Sequence, residues 1–163
     1  MILYPKKYIN NVLEISADFL KEENINGLIL DVDNTLLFHD RKMLTGLTQW
    51  VENMKKNNIK LCILSNTNKK DKVDKLSKDL KVPYIFFAKK PLKGGFKKAA
   101  KILNMKNENI AVVGDQIFTD VIGANRMNMY PILTKPLSQT DILITRIKRP
   151  LEEYIIKKYL ERK

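Results

Sequence analysis

Two aspartates two residues apart, Asp31 and Asp33, follow directly on the apolar run Gly27-Leu28-Ile29-Leu30. Side chains alternate along a strand but not through the turn after it, so such a pair can converge on one small volume. Close carboxylates repel unless a cation lies between them or one keeps its proton. The pair therefore suits a divalent cation, or a division of labour between a nucleophile and an acid. An acidic pair in a loop is also a common solvated turn, so the rest of the chain has to decide.

Other reactive side chains recur at equivalent places. The apolar run 59–64 ends in Ser65-Asn66, Tyr84-Ile85-Phe86-Phe87 is followed by Lys89-Lys90-Pro91, and the run 109–113 ends in Gly114-Asp115, with Asp120 five residues on. Asp31, Asp33 and Asp115 offer hard oxygen donors of the kind Mg²⁺ takes, with waters completing an octahedron. Ser65 offers a hydroxyl, and Lys90 a point charge suited to phosphate oxygens. A nucleophile, a cation and donors around the equatorial oxygens are the parts that phosphoryl transfer needs. An aspartate can itself be that nucleophile, forming an aspartyl phosphate. His39 is the only histidine and Cys62 the only cysteine, which leaves no zinc-ligand cluster, no Ser/His or Cys/His arrangement and no internal disulfide. Cys62, inside Lys60-Leu61-Cys62-Ile63-Leu64, is expected to be a buried, inert thiol.

Positioning these groups requires strands that alternate with helices. The periodicity predicts strands near 27–31, 59–64, 83–87, 110–114 and 130–133, and helices over 8–22, 46–57, 69–80, 94–104, 119–127 and 150–162. Strand–helix alternation of this spacing implies crossover connections: a three-layer, Rossmann-like α/β fold on a five-stranded, mostly parallel sheet. Ligands in such sheets bind beyond the carboxyl ends of the strands, where the reactive residues fall. The 163 residues are expected to form one domain, 1–163, with an N-terminal helical extension (1–26) and a basic C-terminal helix (146–163). Trp50, Phe86 and Phe87 are expected in the core, His39 in a loop.

The ordered set Asp31-Val-Asp33-Asn-Thr35, Ser65-Asn66, Lys90-Pro91 and Gly114-Asp115-Gln-Ile-Phe-Thr-Asp120 resembles the haloacid dehalogenase-like (HAD) phosphatases. The wording of 114–120, the tail Thr145-Arg146-Ile147-Lys148-Arg149-Pro150-Leu151-Glu152 and the N-terminal segment are similar to the YqeG branch of subfamily IIIA, itself similar to the mitochondrial phosphatidylglycerophosphate phosphatases. The resemblance implies that Asp31 attacks phosphorus and that Asp33 acts first as acid, then as base. It implies Mg²⁺ held by Asp31, the backbone carbonyl of Asp33, and Asp115, with Asp120 as a ligand or nearby. Thr35 would orient the first motif, and Ser65, Asn66 and Lys90 would meet the phosphoryl group. Lys89 and Lys93 compete with Lys90 for that role, and Lys90 is preferred for the proline that follows it. Where relatives carry a glycine after the fourth motif this chain has Asn128, which also tolerates the left-handed conformation that ends helices. Asn66 and Asp120 could equally serve as helix-capping residues.

The intervals from Thr35 to Ser65 and from Asn66 to Lys90 leave no room for the cap domain that many relatives insert, so an open site is expected. An open site favours substrates with bulk of their own: a lipid head group, a protein, a nucleic-acid end. The net charge of +12 and pI near 9.7 favour anionic partners, nucleic acid or an anionic membrane among them, although 25 lysines against 5 arginines is also the mark of an A/T-rich genome. Leu151, Tyr154, Ile155, Tyr159 and Leu160 recur at helical spacing among basic residues, Arg146, Lys148 and Arg149 preceding them; such a helix either docks on the core or lies in a membrane interface. No apolar run is long enough to span a bilayer and the first residues lack a secretory pattern, so the expected location is cytoplasmic, with peripheral contact at the inner membrane surface as an option. The expected activity is a Mg²⁺-dependent phosphomonoesterase with phosphatidylglycerophosphate as the leading substrate. The alternatives are a phosphatase for nucleotide, nucleic-acid or protein phosphoesters, and a basic RNA- or ribosome-associated module with a vestigial site. A receiver-like phospho-acceptor is disfavoured, because its acceptor aspartate should end a middle strand, where Ser65 and Ala88 stand.

Overall fold

The computed structural model describes residues 1–139 and 143–163; the side chains of 143–147, Arg146 among them, lie outside the described residues. Six strands form one sheet: β1 (Lys7–Ile9), β2 (Gly27–Leu30), β3 (Lys60–Leu64), β4 (Tyr84–Ile85), β5 (Ile110–Gly114) and β6 (Tyr130–Thr134). Their order is β1-β6-β5-β2-β3-β4, with every adjacent pair parallel. The helices are α1 (Ala17–Glu22), α2 (Leu47–Lys56), α3 (Lys70–Leu80), α4 (Lys93–Leu103), α5 (Ile122–Arg126) and α6 (Leu143–Leu160), with a π-helical turn over Ile117–Val121 before α5.

The central strands read as continuous apolar runs because both faces of the sheet are covered. Leu28 and Leu30 pack with Trp50, Val51, Met54, Val73 and Leu76 on one side. Ile29, Cys62 and Leu64 pack with Phe96, Ala99 and Leu103 on the other. Burial pushes the Cys62 thiol up to about 12, which keeps it protonated. The interval 35–65 holds a loop, α2 and β3, and 66–90 holds α3 and β4.

Three expectations need correction. The sheet has six strands, because the segment expected as a helix over 8–22 begins with an edge strand, β1, paired to β6. Two capping side chains divide that segment. Asn11 accepts from the Leu13 amide to start a 3₁₀ turn, and Ser16 accepts from the Phe19 amide at 3.1 Å to start α1. Each restarts the chain locally, so the apolar spacing never accumulates into one helix. The helix expected over 150–162 instead begins at Leu143 and carries Pro150 within it. Finally, β4 ends at Ile85, which leaves Phe86 half-buried on the core and Phe87 exposed, at 54%, with φ of +49°. Trp50 is buried, its indole N–H donating to the Ile15 carbonyl at 2.9 Å.

Candidate active site

Asp31 is the first residue past β2, Ser65 the first past β3 and Asp115 the first past β5, while Lys90 lies in the loop after β4. Since β2 lies between β3 and β5, parallel order delivers all four to one edge of the sheet. The Lys90 ammonium donates to Asp31 Oδ1 at 2.6 Å and to Asp120 Oδ1 at 2.7 Å, and its side chain is 2% exposed. Lys89 and Lys93 are exposed. Thr35 Oγ1 donates to Asp31 Oδ2 at 3.1 Å and approaches Asp115 Oδ1 at 3.4 Å.

Among the described residues Asp31, Asp115 and Asp120 form a buried group in which one oxygen from each lies within 4.8 Å of the others. Burial raises the Asp115 carboxyl well above the usual range, and Asp31 and Asp120 raise it further. For Asp120 burial outweighs the pull of Lys90, and its pKa rises to about 6. Lys90 responds the other way: burial alone would lower it, but Asp120 and Asp31 lift it above an ordinary lysine. Within this touching group three carboxylates face one ammonium, which leaves two formal negative charges. Hard oxygen donors with that residual charge fit a divalent cation.

Asp33 is placed differently. Its carboxylate turns away from the buried group, is 52% exposed, and accepts from Lys72 Nζ of α3 at 2.5 Å. Ser65 is buried, its Oγ accepting from the Thr67 amide at 3.2 Å. Asn66 caps no helix: the residue before α3 is Lys69. Its side-chain amide instead brackets the main chain of Lys90, accepting from the Lys90 N–H at 2.6 Å and donating to the Lys90 carbonyl at 3.0 Å. Asp120 does serve its own turn, accepting from the Gln116 amide at 3.2 Å, while it holds Lys90. A side chain at Gly114 would strike the Asp120 carboxylate, so only glycine lets β5 pass that close. Asn128 adopts φ of +55°, the left-handed conformation expected there, just beyond α5.

Sequence reasoning missed two residues. Glu152 of α6 is buried, and its Oε1 accepts from the Ile117 and Phe118 amides at 2.9 and 3.4 Å, bracing the turn that carries Asp120. Burial raises its pKa, and those amides hold it partly down. The only signal was its place in the tail motif. Lys72 sits in a lysine-rich helix whose buried positions, Val73 and Leu76, gave no hint of it. The basic C-terminal helix docks by one side: Ile155 packs with Ile117, Val121 and Leu133, and Tyr159 Oη donates to the Lys6 carbonyl at 3.2 Å. A cavity of about 500 Å³ opens beside Asp115, lined by Tyr8, Thr134, Lys135, Arg149 and Glu153 among others.

Parallel strands in this order, with this acid–lysine edge, define a phosphatase of the haloacid dehalogenase-like class. Residues 2–138 match the family described as Mitochondrial PGP phosphatase, and the chain belongs to that family. It is 39% identical over 153 residues to a Bacillus subtilis (strain 168) protein named Probable phosphatase YqeG, covering 93% of this chain and 88% of that one. It is 24% identical over 168 residues to Phosphatidylglycerophosphate phosphatase 1, chloroplastic/mitochondrial, of Arabidopsis thaliana, covering 97% of this chain but 48% of that protein. Among solved structures, an uncharacterized Corynebacterium glutamicum protein superposes with a TM-score of 0.59 at 22% identity, over 77% of this chain and 93% of that one. The cobalt-bound deoxy-D-mannose-octulosonate 8-phosphate phosphatase YrbI of Haemophilus influenzae does so with a TM-score of 0.50 at 18% identity, over 58% and 61%.

Proposed function

We propose that the protein is a Mg²⁺-dependent phosphomonoester hydrolase that works through a phosphoaspartate on Asp31, with phosphatidylglycerophosphate as substrate. The observation that carries the reaction type is the convergence of Asp31, Asp115, Asp120 and Lys90 in one buried group. Asp31, Asp115 and Asp120, with the Asp33 carbonyl, would hold Mg²⁺. When bound it supplies charge neutralisation and polarises the phosphoryl oxygens.

Asp31 is already oriented for attack, one oxygen held by Lys90 and the other by Thr35. An Asp31 oxygen bonds to phosphorus as the ester P–O bond breaks, and Asp33, in its protonated form, gives its proton to the departing alkoxide. Asp33 then takes a proton from water as that water bonds to phosphorus. The P–O bond to Asp31 breaks, phosphate leaves, and Asp33 ends protonated as it began. One residue does both proton transfers, which is consistent with its half-exposed position at the rim of the buried group. Lys90 and the Ser65 hydroxyl meet equatorial oxygens, where charge accumulates.

The lipid substrate is supported by the family match, by the Arabidopsis relative's name and by loops of ordinary length around the site. Phosphate release from detergent-dispersed phosphatidylglycerophosphate with Mg²⁺, absent without the metal and in Asp31→Asn, is the expected result. Turnover of nucleotides or phosphopeptides with none of the lipid would overturn the substrate; no turnover of any phosphomonoester would overturn the reaction.

A further inference from the structure

The loop that carries Lys90 has two sides. Ala88 and Lys90 point inward and are buried, while Phe87 (54% exposed), Lys89 and Leu92 (56%) point outward. The exposure is not fraying, since the main chain is held throughout. The Phe87 amide donates to the Thr67 carbonyl at 2.8 Å, Ala88 to Ser65 at 2.9 Å and Leu92 to Lys89 at 2.9 Å. Arg126 donates to the Pro91 carbonyl at 3.3 Å, and Asn66 brackets Lys90. Phe87 also keeps a left-handed backbone, unfavourable for a bulky residue. Its half-exposed ring lies beside the Lys89 ammonium, 5.0 Å from its centroid.

The loop is basic. From Phe86 to Lys98, the loop and the first turns of α4 carry five lysines and no acidic residue. Lys89 and Lys93 flank the apolar pair, and exposed Lys69 follows the Ser65–Thr67 stretch to which Phe87 and Ala88 are bonded. Apolar side chains set among lysines suit an interface where acyl chains meet anionic head groups. Among the described residues the other exposed large apolar side chains belong to other segments: Met1 and Ile2, Ile102 late in α4, and Leu151, Tyr154 and Leu160 on α6.

We infer that Phe87 and Leu92 insert into an anionic lipid bilayer, with Lys89 and Lys93 at the head-group level, and so bring the Asp31–Lys90 edge onto phosphate groups at the membrane surface. The inference builds on the lipid-phosphatase reading but is tested separately from it. Vesicles of two-thirds phosphatidylcholine and one-third phosphatidylglycerol should sediment the wild-type protein, vesicles of phosphatidylcholine alone should not, and added salt should release it. Phe87→Ser with Leu92→Ser should weaken that partition about tenfold or more while p-nitrophenyl phosphate turnover stays at the wild-type level. Should that pair fail to fold, Lys89→Glu with Lys93→Glu should give the same loss. Leu151→Ser with Tyr154→Ser and Leu160→Ser on α6 should bind as wild type. Wild-type binding that is absent, unchanged by the loop variants, or lost with the α6 variant instead would overturn the inference. Hydrolysis of detergent-dispersed lipid without vesicle binding would sink the docking loop and leave the activity standing. Vesicle binding without lipid hydrolysis would do the reverse.

Discussion

Asp31 and Asp33 are two residues apart, yet they belong to two different regions of the site. Asp31 joins a buried floor with Asp115, Asp120 and Lys90, whose charges meet one another in place of water. Asp33 belongs to an open rim with Lys72, where the carboxylate is half exposed. Charge in the floor is costly to bury and strong in its interactions, so each member depends on the others. On the rim the Asp33 carboxylate reaches solvent, and its one ion-pair partner, Lys72, comes from a helix outside the buried group. In the proposed mechanism Asp31 attacks from the first environment and Asp33 gives and takes protons in the second.

The sharpest way to break this contrast is to remove the floor's ammonium. Lys90→Ala leaves Asp31 and Asp120 buried without their partner, at a cost of about 3–5 kcal/mol. Without added metal, Lys90→Ala should lower Tm by far more than any rim substitution, and Mg²⁺ should recover part of the loss. On the rim the balance reverses. Asp33→Asn should cut kcat by about 10²–10⁴-fold, as expected for loss of a proton-transfer group. Its ion pair with Lys72 joins a half-exposed carboxylate to a lysine side chain 12% exposed, so losing it should lower the melting temperature by clearly less than Lys90→Ala does. An Asp33→Asn protein as unstable as Lys90→Ala would erase the distinction between floor and rim.

How much of each region could be read from the sequence follows the same line. The floor was legible because strand ends are marked locally: an apolar run stops, and a carboxylate, hydroxyl or lysine follows. Parallel order then brings Asp31, Ser65 and Asp115 together without further information. What stayed hidden depends on contacts distant in sequence. Strand β1 forms only because β6 offers an open edge, and two of its three residues, Tyr8 and Ile9, fall within an apolar spacing that also suits a helix. Lys72 reaches Asp33 across 39 residues, from among lysines that look alike in sequence. Phe87 continues the apolar run of β4, but the chain has left the sheet by then, which local periodicity cannot register.

Glu152 connects the floor to the C-terminal helix, and substituting it should give an intermediate effect. Glu152→Ala leaves the Ile117 and Phe118 amides without their acceptor, at a cost of about 1–3 kcal/mol. The loosened turn carries Asp120, so the Mg²⁺ concentration giving half-maximal activity should rise along with the loss of Tm. Glu152→Gln keeps an oxygen that can accept both bonds and should restore most of each. Equal damage from Gln and Ala would show that the charge matters more than the acceptor.

The smallest effect follows from the floor's own proton affinity. Asp120 titrates at about 6 and Asp115 well above the ordinary carboxylate range, chiefly because burial disfavours their charged forms. A cation binds the deprotonated carboxylates, so protons compete with it once the pH falls below the raised values. Because these pKa values are raised in the folded state, the metal-free fold holds protons there that the unfolded chain has already released. Metal-free stability therefore loses the Asp120 contribution as pH rises through about 6, where protons cease to compete with Mg²⁺ at that carboxylate. Between pH 7.5 and pH 5.5 the half-saturating Mg²⁺ concentration should rise about fourfold for competition by the one proton on Asp120. The thermal shift produced by a fixed Mg²⁺ concentration should shrink over the same interval. In Asp120→Asn one competing proton is gone, so the pH dependence should flatten even though affinity at pH 7.5 is lower. A wild-type Mg²⁺ requirement that is flat from pH 5.5 to 7.5 would mean that the floor is wetter than its burial indicates, and that floor and rim differ less than their geometry does.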